Sequence, residues 1–275
     1  MSRHRLEAFF EQHPICIFCG GATAATTQDH VPSRQLFTER WWPEGYAFPA
    51  CIACNQSTRR AEQVVALLSR FGPGPNSTTD QVEFQAQLRA VQNNDPEILR
   101  EMWPTPQQRA NFSAKSWAKP LVDAGVIAPT PLSAKGPRLR EYLRDYARKL
   151  FCALHYKEFN AIVKPQGGIS WHWFTNAQKI EGKVPNIMSE FTKIPALKRT
   201  SRDLSDQFSY IFEMAIDGDA AGYFVAFRRS FAMVGLVDAN GIYPELSDPG
   251  PDILRPLSPL PHAIAGELVP RRHPD

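Results

Sequence analysis

No stretch of this sequence reaches 18 uninterrupted apolar residues, which excludes a membrane-spanning helix from the expectations. No apolar run of signal-peptide length follows Met1-Ser2-Arg3-His4-Arg5, so the expected location is the cytoplasm. An excess of charge of one sign is also lacking. A net charge of +3 permits contact with nucleic acid but does not argue for it. There is no internal repeat. Cysteine is limited to five, an odd number, which argues against a disulfide framework.

What is present is concentrated. Four of the five cysteines form two Cys-x-x-Cys pairs, Cys16/Cys19 and Cys51/Cys54, with 31 residues between the pairs. Each pair places two thiolates on one tight turn, and two such turns supply four soft ligands for tetrahedral metal. The reading is a structural Zn2+ held by Cys16, Cys19, Cys51 and Cys54, in a reducing compartment. Buried free cysteines are the bland alternative. Cys152 stands apart in a helical pattern.

The 275 residues allow one large domain or two smaller ones. Residues 3–12 read as a short amphipathic helix, and helicity resumes from Gln56, with Ala61, Val64, Val65, Leu67 and Leu68 as its apolar face. Helices are expected from about Asn76 to Asn93 and from Asp95-Pro96 to Trp103. Residues 104–137 are rich in Pro and Ala and mark a loose boundary. Arg138–Phe159 is the clearest long helix, with Arg and Lys filling the positions between its apolar residues. Ile169–Gln178 reads as an aromatic helix. Phe208–Ile216, Gly222–Phe227 and Phe231–Val237 read as an antiparallel meander. The segments are 1–75, a cysteine-stapled module; 76–136, a helical, Pro-rich connector; and 137–275, an α+β domain. From Pro244 a Pro-rich tail is expected to wrap the surface or to be partly disordered.

Between the cysteine pairs lies Asp29-His30-Val31-Pro32-Ser33-Arg34-Gln35-Leu36-Phe37, and the second pair reads Pro49-Ala50-Cys51-Ile52-Ala53-Cys54-Asn55. Over about residues 14–66 this resembles the HNH endonuclease family, specifically a bacterial subgroup of pattern (D/E)HVPPKSLF…VPACxxCN with an acidic residue in the following helix. The resemblance implies an α+β fold: a zinc-stapled ββα-metal module, then helices, then a C-terminal α+β region with an antiparallel sheet. It implies a metal-dependent endonuclease that hydrolyses phosphodiesters, most often in DNA. His30 becomes the general base, Asp29 a ligand of the catalytic cation (Mg2+ or another divalent ion), and Asn55 the residue completing that site. Glu62 takes the acidic place as a possible further ligand, with a solvated helix face as its plain alternative. Asn55 has a plain alternative as well, a helix N-cap. The middle Asn of the family pattern is replaced by Tyr46, whose backbone carbonyl could orient His30.

Arg34, Arg59 and Arg60 flank the motif and are the candidate phosphate contacts. Arg228-Arg229 reads as a solvated hairpin tip. Cys152, His155 and His172 could be imagined as a second site, but they sit in apolar runs and read better as core. The alternative function is a catalytically decayed HNH-like zinc protein, serving as a nucleic-acid-binding or protein-scaffolding module.

Overall fold

The computed structural model describes residues 3–71, 77–115, 118–123, 132–184, 191–215, 218, 220–247 and 252–257. Helix α1 (Arg3–Gln12) leads to the first cysteine turn, where Gly20 and Gly21 take positive φ of 67° and 82°. Such angles strain residues with a Cβ, and at Gly20 an added Cβ would also meet the Pro165 ring at 2.8 Å. Strands β1 (Thr27–His30) and β2 (Ala47–Ala50) then pair antiparallel, with Asp29 opposite Phe48 and His30 opposite Ala47.

Directly after β2 come α2 (Ile52–Ser57) and α3 (Arg59–Ser69). Helicity therefore starts four residues before the expected Gln56. The reason is local: Cys51 is extended, and its Sγ accepts the Cys54 N–H at 3.4 Å, so the cysteine itself caps the helix. Asn55 lies inside α2, which rules out the N-cap alternative for it.

Helices α4 (Thr78–Asn94) and α5 (Pro96–Met102) fall where the cap signals put them. The loosely patterned stretch after them still folds into α6 (Pro106–Ser113), closed by a Thr105/Gln108 capping box, and α7 (Ala118–Asp123). Helix α8 (Pro137–Phe159) is the long helix.

Strand β3 (Gly168–Thr175) occupies most of the segment expected to be helical, and only α9 (Asn176–Ile180) is helix there. The correction has a tertiary cause. β3 pairs along its whole length with β8 (Phe231–Asp238), which rewards the aromatic and β-branched residues of Ile169–Phe174. After the two-residue strands β4 (Lys198–Arg199) and β5 (Arg202–Asp203), β6 (Phe208–Met214) and β7 (Ala220–Phe227) form the expected meander with β8. Ile216, Asp217 and Asp219 lie outside the described residues. A short helix α10 (Pro244–Ser247) precedes β9 (Ile253–Leu254), which adds to β3 and completes an antiparallel sheet of order β6-β7-β8-β3-β9. The rest of the expected tail lies outside the described residues.

Helix α8 lies between the cysteine-bearing segment and this sheet. Toward the sheet, Phe151 lies so close to β8 that a Cβ on Gly235 would sit 2.5 Å from its ring. One continuous core joins Cys16, Phe18, Leu36 and Phe48 to Leu143, Phe151, Phe208 and Val237. Cys152 belongs to it and His155 is buried, as the core reading expected, with His155 Nδ1 3.2 Å from the Tyr223 hydroxyl; His172, on β3, is exposed, so the core reading does not hold for it. Arg228 is not a solvated tip. It has φ 50°, and its guanidinium donates to Leu36 O, Thr38 Oγ1 and Gln207 Oε1, which ties β7 to the segment after β1. Among the described residues no helix is long and apolar enough to cross a membrane.

Candidate metal centre and basic site around His30

The four paired cysteines converge. Their sulfurs all lie within 4.8 Å of one another, and none is in a disulfide. Tetrahedral zinc with Zn–S bonds near 2.3 Å needs sulfurs about 3.8 Å apart, so a small contraction seats an ion. The thiols compete with one another. Cys16 is pushed up to about 11, first by its hydrogen bond with Cys19, while Cys19 is driven strongly down by hydrogen bonds from Cys16 and Cys54. A dication would remove this competition by letting all four ionise. The donor set and spacing fit, so these four residues could hold a metal ion such as zinc.

Asp29 and His30 are neighbours on β1 and point to opposite faces of the strand. Asp29 is buried, 5% exposed, and it faces α8, where Lys149 is 2% exposed. Lys149 Nζ lies 2.5 Å from Asp29 Oδ2, a buried ion pair. The same ammonium pairs with Glu62 and donates to Thr58 Oγ1 at 2.8 Å, and Thr58 in turn donates to Glu62 at 2.9 Å. Two carboxylates thus share one ammonium. Burial pushes Asp29 up to about 6, with Glu62 adding to the rise and Lys149 opposing it. Burial alone would pull Lys149 down, but Asp29 and Glu62 more than offset it and leave its pKa raised. Glu62 is therefore not a solvated charge.

Asn55 is turned toward β1. Its side-chain NH2 donates to Thr27 Oγ1 at 3.0 Å and to the Gln28 carbonyl at 3.2 Å, fastening α2 to the strand. The arrangement gives Asp29 the Lys149 ammonium as its cation, and Asn55 a bracing role. Among the described residues, the four cysteines are the only group of three or more His, Cys, Asp or Glu close enough to share a metal.

His30 sits on the other face, half-buried, with its ring edge-on to Trp42 at 5.0 Å. Arg34 Nη2 lies 2.7 Å from His30 Nε2. A guanidinium can only donate, so Nε2 is the acceptor and the imidazole carries its proton on Nδ1. Burial, then Arg34, Arg199 and Lys149, push His30 down to about 4, and the ring is neutral at pH 7. Tyr46 does not orient the ring through its carbonyl, which accepts the Val31 N–H at 3.3 Å. Its hydroxyl is 2.8 Å from that of Tyr210, which donates to Glu158 at 2.5 Å.

Of the candidate phosphate contacts, only Arg34 acts on His30. Arg59 and Arg60 line an open cleft of about 380 Å³ with Gln56, Ser57, Tyr142 and Asp145. Sequence reasoning missed two residues, Lys149 and Arg199. Both lie far along the chain from the motif, and no short-range pattern pointed to either. The chain matches no protein family, no curated protein and no solved structure.

Proposed function

We propose that this protein is a phosphodiester hydrolase of the HNH type, acting on DNA, with His30 as its general base. The observation that carries the reading is the state of His30. It is a neutral imidazole on the first strand of a β-hairpin that runs into a helix, its Nε2 lone pair fixed by Arg34 at 2.7 Å. A neutral imidazole can take a proton from water, and adjacent guanidinium groups suit the charge of a phosphodiester. Cys16, Cys19, Cys51 and Cys54 would hold structural zinc and pin the two ends of the hairpin without taking part in chemistry.

The resemblance would put a divalent cation on Asp29 and Asn55, with Glu62 beside them, to neutralise charge on the scissile phosphate, but these residues do not fit one here. As the chain stands, Lys149 fills the place between the two carboxylates, and Asn55 offers its NH2 to β1. What the chain's own residues do is clearer on the His30 face. Arg34 holds the imidazole tautomer, Trp42 packs its edge, and Arg34 must leave Nε2 before that atom can accept a proton.

These same contacts favour the second reading, a binding module whose chemistry has decayed. Plasmid cleavage with Mg2+, Mn2+ or Ni2+, comparing the wild type with His30→Ala, separates the two. The hydrolase reading expects cleavage that falls by roughly 10²–10⁴-fold on losing the base. Cleavage that survives His30→Ala, or none with any of the three ions, overturns it.

A further inference from the structure

We propose that Arg199, together with Arg34, forms an oxyanion site over Trp42 that takes a backbone phosphate of a nucleic acid beside His30. The inference rests on the phosphodiester reading for its ligand, but it stands on its own geometry. Both guanidinium carbons lie against one indole, Arg34 Cζ at 3.9 Å and Arg199 Cζ at 3.8 Å from the Trp42 ring centroid. Arg199 comes from β4, 157 residues after Trp42, and donates to the Trp42 carbonyl at 3.3 Å. Cation–π contact holds each guanidinium plane while leaving N–H edges free to donate.

Two like charges on one ring repel. Among the described residues no carboxylate pairs with Arg34 or Arg199. The acids on the adjoining loops are engaged elsewhere: Glu44 accepts the Thr200 N–H at 3.1 Å, and Glu39 pairs with Arg202 at 3.0 Å. The charges that act on Arg34 are those of Arg40 and Arg199, and both are positive. The Arg34 Nε is buried without a hydrogen-bond partner. A cluster of guanidiniums with an unspent buried donor and no carboxylate is matched by an anion with several oxygens.

A phosphodiester has two non-bridging oxygens, one for each guanidinium. Its arrival would also give Arg34 an alternative acceptor to His30 Nε2, which frees that lone pair at the moment substrate is in place. Arg199 is then a binding residue that the C-terminal region lends to the motif.

The test measures binding of a fluorescein-labelled DNA duplex across a salt series, without added divalent cation so that nothing is cut. Arg199→Gln is expected to weaken binding roughly ten-fold and to lower the slope of log affinity against log salt by about 1. Arg199→Lys should keep the slope but not the full affinity, which also guards against a folding defect in the first variant. Arg89→Gln, on the exposed face of α4, should change nothing. Arg199→Gln binding like the wild type, with the same slope, overturns the inference even if the wild type cleaves DNA. Arg199-dependent binding with no cleavage under any metal supports the site and sinks the hydrolase reading. A wild type that binds no duplex overturns the site.

Discussion

Lys149 Nζ sits 2.5 Å from Asp29 Oδ2, and this contact joins α8 to the first strand of the cysteine-stapled hairpin. The same ammonium pairs with Glu62, so a single positive charge holds two buried carboxylates. Replacing Lys149 by Met should leave both acids uncompensated and destabilise the fold by about 3–5 kcal/mol in urea unfolding. Adding Asp29→Asn to Lys149→Met should recover part of that loss. If Lys149→Met costs nothing, the ammonium is not what keeps the carboxylates buried.

The second prediction concerns the cysteines. The purified chain should carry one equivalent of zinc by elemental analysis, and Cys51→Ser should lose most of it. Because metal binding to such a cluster is folding free energy, the loss should cost about 4 kcal/mol or more. Cys152→Ala should keep its zinc, since that thiol is buried in the core on α8. Full zinc content in Cys51→Ser would argue against a four-cysteine site.

Asn55 offers a sharper division between bracing and chemistry. Its NH2 makes two hydrogen bonds to β1, at 3.0 and 3.2 Å. Asn55→Ala should therefore destabilise the protein by about 1–3 kcal/mol whether or not any divalent ion is present. A variant of wild-type stability that has lost cleavage would instead assign Asn55 to the cation.

His155 sets a pH dependence. Burial pushes it down to about 4 from an ordinary value of 6.5, so the unfolded chain takes up a proton before the native one does. Its contribution is complete above pH 6.5 and is lost as the pH falls toward 4, for a total of about 3 kcal/mol. His155→Phe removes that titration and suits the aromatic contact with Phe159 at 5.0 Å. The stability of the wild type relative to this variant should fall between pH 7 and pH 4. A constant difference would mean that the ring is not held neutral.

How far the sequence was legible varies with the range of the interaction. The α4 and α5 boundaries were readable because Ser77 and Asp95-Pro96 act on residues within one turn. The meander was readable because Phe208, Tyr210 and Phe212 alternate with partly exposed neighbours. Trp171-His172-Trp173-Phe174 misled, since a short aromatic run fits helix and strand alike until β8 is known to lie alongside. The cysteine cluster was legible as two local pairs, and its closure followed from ligand chemistry. Lys149 was not. On α8 it reads as one more basic residue of a polar face, and only the carboxylates of Asp29 and Glu62, contributed by β1 and α3, explain why it is buried. Arg199 was silent for the same reason, because Trp42 gives it meaning and nothing near it in sequence does.

The position of α8 decides how portable the first 75 residues are. Although they contain every residue of the recognisable motif, they do not contain the counter-charge for their own acids, nor the second guanidinium on Trp42. Transplanted alone onto another scaffold, the segment would bring Asp29 and Glu62 into a new interior with nothing opposite them. Any functional transfer would have to include the helix that carries Lys149 and the strand that carries Arg199. The transferable unit is therefore a discontinuous set of three segments, and the first 75 residues expressed alone should fail to fold.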